Sequence, residues 1–529
     1  MASDRIPSGI EGLDKLIEGG FPRGSLILLS GSPGVGKTVF AASFVCKGVQ
    51  LGETGVYASL CEDKETLLRN LSRHLRWDYR RCVEEGAKEA EVEGKTEEDT
   101  KGEAKAKAKC VFLDFAVMRG EGVAAILDSI LDSVRRFGAR RLVIDSISAL
   151  VQGIEDKAEM RILLQAVLRK IVRREGCTAL LISEEGISLE GRDSFRGALF
   201  GAGVGGFVAD GLIRLGSLQF DGRPLRELEI VKLRGTRLQE RMALYTLEGG
   251  FIVFPPSEFE LESAPWTTFS ESPHQRRGET GARPKPPLRF EAREDPPWGF
   301  STGCQDLDAL LGGGYRKGYK VLLEVAGNVS TLQYHTILRP TVANFMAKGR
   351  GVIVIPSSGV DSRIIRQRLA EVGFTDEEMA GLLRICTLRM LGSSSTEPYV
   401  IPFDGKDIME DYRAYLSLEE GLLKERKGPV LSISGIDFPI ANYGVQAAMA
   451  IWHLDATRIR ERGALGILIA KPGYEKVSKT LGAIADVHLK LAREHGALIL
   501  YGVKPRTNIC VFEVDFSRGY ALPRLTPVV

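Results

Sequence analysis

Gly31-Ser32-Pro33-Gly34-Val35-Gly36-Lys37-Thr38 follows an apolar run, Ser25–Ser30, and precedes a stretch patterned as a helix, Thr38–Leu51. Strand, glycine-rich loop and helix in that order make a phosphate-binding P-loop. The glycines let backbone N–H groups curl around phosphate oxygens, and the helix N-terminus adds a favourable dipole. Lys37 is then expected to reach the β- and γ-phosphates of ATP, with the Thr38 hydroxyl on Mg²⁺. The eight loop residues and Val39 form the expected nucleotide contact.

Working outward, Arg141-Leu-Val-Ile-Asp145 reads as an apolar strand ending in a carboxylate. Asp145 fits a Walker B aspartate acting on Mg²⁺ or its water, and joins the nucleotide set. Glu62 and Asp63 follow the strand-like run Gly55–Leu60, where a doubly wound sheet faces its ligand. Glu62 is the candidate to orient or deprotonate the attacking water, with Asp63 in reserve. The competing reading makes them helix N-terminal carboxylates. In Lys232-Leu233-Arg234-Gly235-Thr236 a Lys and an Arg two apart on a strand share one face. They read either as a cationic finger on a γ-phosphate of a neighbouring copy or as a solvated edge strand.

The rest of the first half alternates apolar runs (Cys110–Phe115, Thr178–Ser183, Gly211–Leu215) with helical patterns such as Glu159–Arg174. That alternation predicts an α/β fold with a mostly parallel sheet and helices on both faces. Further runs at Leu225–Leu233, Ala243–Thr246 and Phe251–Phe254 suggest antiparallel strands at one edge. After a stretch rich in Pro, Ser, Arg and Glu, the opening repeats. PSGIEGLDKLIEGGFPRGSLILLSG from Pro7 is answered by STGCQDLDALLGGGYRKGYKVLLEVAG from Ser301. A match of that length predicts a duplicated domain. The expected organisation is a domain over 1–254 with a charged insertion at 84–109, a linker over 255–297, and a second domain over 298–529.

Composition narrows the function. The chain is 44% hydrophobic and 26% charged with a net charge of +2, which gives no overall field to draw nucleic acid or a membrane. Eight cysteines stand singly, without a Cys-x-x-Cys pair, and read as reduced buried thiols. The N-terminus lacks a signal-peptide pattern, and no apolar run spans a bilayer. A cytoplasmic location is expected.

The opening motif, then CED, LVIDSISAL, LLISEEG, FVADGLIRL and VKLRGT, resemble in order the KaiC branch of the RecA-like ATPases. The resemblance implies two tandem RecA-like domains and a homo-hexameric ring with ATP between subunits. It assigns Lys37, Thr38 and Asp145 to nucleotide and metal, Glu62 to water activation, and Lys232 with Arg234 to a neighbour's phosphates. The second half resembles the same fold without its chemistry. Gly327-Asn-Val-Ser-Thr-Leu-Gln333-Tyr334 lacks the loop glycines and lysine, Ser434 stands for the aspartate, and Asp437 lies too far along to replace it. Self-phosphorylation of the clock-protein kind is therefore disfavoured. Paired arginines (Arg135-Arg136, Arg140-Arg141, Arg173-Arg174) also resemble the archaeal regulator GvpD. The leading expectation is a regulatory ATPase with a protein partner. The alternative is a DNA-handling ATPase, using the glycine-rich loop 189–206 with Arg192 and Arg196.

Overall fold

Continuous apolar runs such as Leu-Ile-Leu-Leu-Ser-Gly over Leu26–Gly31 are buried on both faces, as strands inside a parallel sheet must be. The computed structural model describes residues 4–72, 108–115, 123–152, 171, 174–184, 209–256, 288–389, 397–426 and 428–529. The charged insertion (but for 108 and 109), nearly all of Glu159–Arg174, the loop 189–206 and most of the linker lie outside these residues. The described residues form two compact units. Among them, no helix is long and apolar enough to cross a membrane.

In the first unit, β1 (Arg5–Ile6) and β2 (Phe21–Pro22) form a short ribbon. The main sheet comprises β3 (Leu26–Gly31), β4 (Gly55–Ser59), β5 (Cys110–Asp114), β6 (Arg141–Asp145), β7 (Thr178–Glu184), β8 (Gly211–Phe220), β9 (Arg223–Leu233), β10 (Met242–Thr246) and β11 (Ile252–Phe254). Their order is β11-β10-β9-β8-β3-β7-β6-β4-β5. The six strands from β8 to β5 run parallel, and β9 to β11 add antiparallel pairs at one edge.

The second unit repeats this plan. A ribbon of β12 (Gly299–Phe300) and β13 (Tyr315–Arg316) precedes β14 (Lys320–Val325), β15 (Val352–Ile355), β16 (Leu383–Leu388), β17 (Val400–Phe403), β18 (Leu431–Gly435), β19 (Leu465–Ala470), β20 (Val487–Glu494), β21 (Ala497–Lys504), β22 (Cys510–Asp515) and β23 (Leu522–Pro527). The order β17-β16-β15-β18-β19-β14-β20-β21-β22-β23 matches the first sheet strand for strand, with β17 added at the edge. Both sheets are mixed, twisted and RecA-like.

The repeated sequence motif has a physical cause. Asp14 Oδ1 accepts the Ser8 N–H at 2.9 Å, and Asp308 Oδ1 accepts the Thr302 N–H at 2.7 Å. Each aspartate thereby fixes the turn that lays a glycine against the helix behind the sheet. A Cβ on Gly9 would lie 2.6 Å from the Ser43 carbonyl oxygen, and one on Gly303 would lie 2.2 Å from that of Pro340. The end of the sequence-read linker behaves differently from the expectation. Phe290 is buried in the second core, and Asp295 accepts Lys348 at 2.6 Å and Arg350 at 2.7 Å, so 288–297 pack as part of the second unit.

These contacts predict unequal costs for two glycines of the second unit that both have positive φ. Gly349→Ala, with open space around its Cβ, should cost only the left-handed backbone penalty of about 1 kcal/mol. Gly303→Ala must also displace backbone and should cost roughly 3 kcal/mol or more. Urea midpoints of the two variants check the difference.

Candidate functional site

Between β3 and the helix Lys37–Gln50, the loop winds tightly at both ends and opens at its apex. A Cβ on Gly31 would lie 2.5 Å from the Leu215 carbonyl oxygen. Gly36, at φ +93°, occupies the N-cap in the left-handed region where glycine is favoured. A Cβ on Gly34 would meet nothing within 4 Å, and Ser32, Pro33 and Gly34 are exposed. The side chains of Val35 and Val39 point instead into the core. Two residues that the sequence reading missed brace the loop from the antiparallel edge. The Tyr245 hydroxyl donates to the Val35 carbonyl at 2.6 Å, and Arg226 donates to the Gly34 carbonyl at 3.3 Å.

Lys37 is buried, and its ammonium donates to the carbonyls of Gly31 (2.7 Å) and Ser32 (2.9 Å). The Thr38 hydroxyl donates to Asp145 Oδ2 at 3.1 Å. Parallel pairing sets Ser59 opposite Asp145 and Tyr57 opposite Val143, one pleat earlier on the same face. From there the Tyr57 hydroxyl donates to the same Asp145 oxygen at 2.7 Å. Burial raises the Asp145 pKa, against the hydrogen bonds from Tyr57 and Thr38 that lower it. Burial likewise holds Tyr57 well above the ordinary phenol value, so it remains a donor. Thr38 Oγ1 and Asp145 Oδ2 stand side by side, a pair of hard oxygens that could hold Mg²⁺.

Glu62 follows β4, where Ser59 Oγ grips both its carbonyl (2.5 Å) and its N–H (3.3 Å). It lies close enough to Asp145 to push that carboxylate's pKa upward. Its own carboxylate accepts Asn70 Nδ2 at 3.4 Å. Asp63 is corrected: it is the N-cap of the helix Lys64–Leu71, accepts the Thr66 N–H at 2.9 Å, and is lowered in pKa by that bond. A capping carboxylate committed to the helix end is no reserve base.

Lys232 and Arg234 lie away from this cluster. Lys232 pairs with Leu212 and Leu233 with Gly211, which itself pairs with Ile27 at the start of β3. Gly31 is four residues further along, about 13 Å at strand rise. The pair therefore stands near the opposite end of the sheet from its own chain's loop. The Lys232 ammonium donates to the Ala209 carbonyl at 2.7 Å, and Arg234 is 59% exposed, 3.5 Å from Asp210. Arg5, also missed, pins their turn by donating to the Gly235 carbonyl (2.8 Å) and to Thr236 Oγ1 (2.9 Å).

The matching place in the second unit is closed. Its helix, Thr331–Ala347, has 17 residues against 14 and opens with a capping box. Ser330 Oγ accepts the Gln333 N–H and Gln333 Oε1 accepts the Ser330 N–H, so helix-terminal donors are already used. Strand register also corrects two sequence readings. Asp210 and Asp486 bind the N–H groups of Leu26 and Lys320, which makes those residues equivalent. Through β7 and β19, Gly435 rather than Ser434 then matches Asp145. Asp437 does reach this space, with Oδ1 2.6 Å from where a Gly435 Cβ would stand. Its other oxygen is spent on the Ser358 N–H at 2.6 Å. Lys471 donates to the Ser358 carbonyl at 2.7 Å and lies over the Tyr334 ring at 5.4 Å.

The arginine clusters are largely structural. Arg141 is fully buried, donating to Glu53 (2.8 Å) and to the carbonyls of Pro7 and Phe44. Arg135 meets Glu175 at 2.9 Å. In the second unit Arg289 meets Glu378, Arg339 and Arg368 share Glu371, and Arg366 meets Asp376. Burial of Asp145 generates one prediction. A carboxyl whose folded pKa is raised has its full stabilising effect below the ordinary carboxylate range and loses it as pH rises through the folded value. Asp145→Asn should therefore raise the melting temperature of the nucleotide-free chain at neutral pH, with a gain that shrinks toward pH 4. Thermal melts at the two pH values check it.

Residues 6–258 match the KaiC ATPase family, and residues 289–375 match GvpD basic region 2, a stretch that holds Arg289, Arg339, Arg366 and Arg368 but none of the arginine pairs read at 135–174. A UPF0273 protein of Aeropyrum pernix is 32% identical over 253 residues, covering 48% of this chain and 94% of that protein. The circadian clock protein KaiC3 of Synechocystis sp. is 26% identical over 422 residues, 78% of this chain and 70% of that protein. The crystal structure of a KaiC-like protein from Pyrococcus horikoshii is 31% identical and covers 47% of this chain and 99% of its own, with a TM-score of 0.37. The chain belongs to the KaiC-like family of RecA-superfamily P-loop ATPases.

Proposed function

We propose that the first unit binds ATP with Mg²⁺ and hydrolyses it slowly at interfaces between copies of the chain in a closed ring.

 The second unit serves assembly of that ring or contact with a partner protein. One observation carries the reading: Arg234 stands exposed on a turn pinned by Arg5, at the far end of the sheet from its own loop. A cation so placed can meet a phosphate only if another copy supplies the loop, and a cyclic head-to-tail assembly repeats that contact around a ring.

The chain's own residues divide the work in this reading. The loop from Gly31 to Thr38 holds the phosphates on backbone N–H groups. Lys37 exchanges its two carbonyl partners for phosphate oxygens, which keeps its buried charge matched throughout. Thr38 and Asp145 hold the metal, which when bound neutralises charge on the phosphates. Glu62 orients the water and accepts its proton, fixed in place by Ser59. Lys232 and Arg234 of the adjoining copy stabilise the charge that develops on the transferred group.

Two measurements test the proposal. Sedimentation of the wild type should show larger assemblies with ATP and Mg²⁺ than without, and Lys37→Ala should lose that response; a wild type indifferent to ATP contradicts the ring. Arg234→Ala should retain ATP binding while turnover falls by about 10²-fold or more. Unchanged turnover in that variant removes the trans role of the pair.

A further inference from the structure

We propose that the second unit carries a binding site for a small organic ammonium ion, remote in kind from nucleotide chemistry. A small cavity of about 70 Å³ lies between the sheet and the helices Ile408–Arg426, Asp437–Tyr443 and Val445–Arg462. Its lining is mainly apolar and aromatic, as the walls of small-molecule sites are. Phe403, Tyr412, Tyr415, Phe438, Tyr443 and Trp452 contribute rings to its wall.

Asp411 also lines this cavity, and it is only 9% exposed. Its oxygens accept the N–H groups of Asp404 (3.2 Å) and Gly405 (2.9 Å) and the Tyr443 hydroxyl (2.6 Å). Those donors fix its direction but bring no full positive charge. Among the described residues, no Lys, Arg or His forms an ion pair with it. Two neighbouring buried carboxylates are treated differently. Asp455 is met by Lys320 and Arg458, and Glu419 by Arg458 and Arg462. A buried carboxylate ordinarily has a cationic partner, so Asp411 marks a missing positive charge. Aromatic faces around that point attract a cation through their ring quadrupoles and shelter its apolar body. Carboxylate and rings together define an organic ammonium ion.

The test uses the full chain, phenethylammonium as the probe and 2-phenylethanol as its neutral counterpart of similar shape. Calorimetry should show saturable binding of phenethylammonium, with 2-phenylethanol weaker by about tenfold or more. Asp411→Asn keeps an acceptor for Gly405 and Tyr443 but removes the charge, and should weaken phenethylammonium by a similar factor. Trp452 emission should shift with the cation and follow the same isotherm. Equal binding of the two probes, unchanged affinity in Asp411→Asn, or no saturable binding of phenethylammonium overturns the proposal and leaves Asp411 a loop anchor. Should the variant fold poorly, the comparison of the two probes on the wild type decides alone.

Discussion

Parallel register across β3, β7, β6 and β4 is the constraint on which the first unit's site depends. It brings the mouth of the loop, the end of β6 and the turn after β4 to one end of the sheet, from segments that are distant in sequence. A slip of one residue in any of these pairs would turn Asp145 to the other face and separate it from Thr38 and Tyr57. The burial that makes this register unambiguous also raises the Asp145 pKa. Packing of the strands and readiness for a cation are therefore two results of one arrangement.

The second unit has kept the register and changed what stands on it. Gly435 occupies the place of Asp145, and the helix behind β14 starts in a capping box that uses its own terminal donors. Asp437 and Lys471 fill the space with charges satisfied inside the unit. Contacts that hold the fold have survived. Lys504 donates to the Ala485 carbonyl as Lys232 does to that of Ala209, and Asp486 anchors β14 as Asp210 anchors β3. In the duplicated half the place that corresponds to the first unit's site is thus occupied by the half's own contacts.

Features carried by contiguous residues were legible in the sequence. The loop, the strand ending in Asp145 and the Ser/Thr-Gly to Leu-Asp turn each need only local order, and each forms as read. Tyr57 was not legible, because a tyrosine in an apolar strand looks like core until the strand across from it is known. Arg5 and Arg226 act on partners 231 and 192 residues away, at separations that no local pattern records. Arg141 read as one of a pair of arginines at the start of a strand; it is fully buried, with its charge matched by Glu53 and two carbonyls. The equivalence of Ser434 with Asp145 failed by one residue for the same reason: alignment counts positions, whereas pairing across strands fixes them. Asp437 showed that a short backward fold can return a carboxylate to a place its number excludes.

We infer that one unit of the chain takes a nucleotide and that its twin does not. Counting the nucleotide released from purified full-length chain after equilibration with excess ATP and Mg²⁺ tests this most directly. About one nucleotide per chain is expected in the wild type and essentially none in Lys37→Ala. Two per chain, or one that persists in Lys37→Ala, would contradict it.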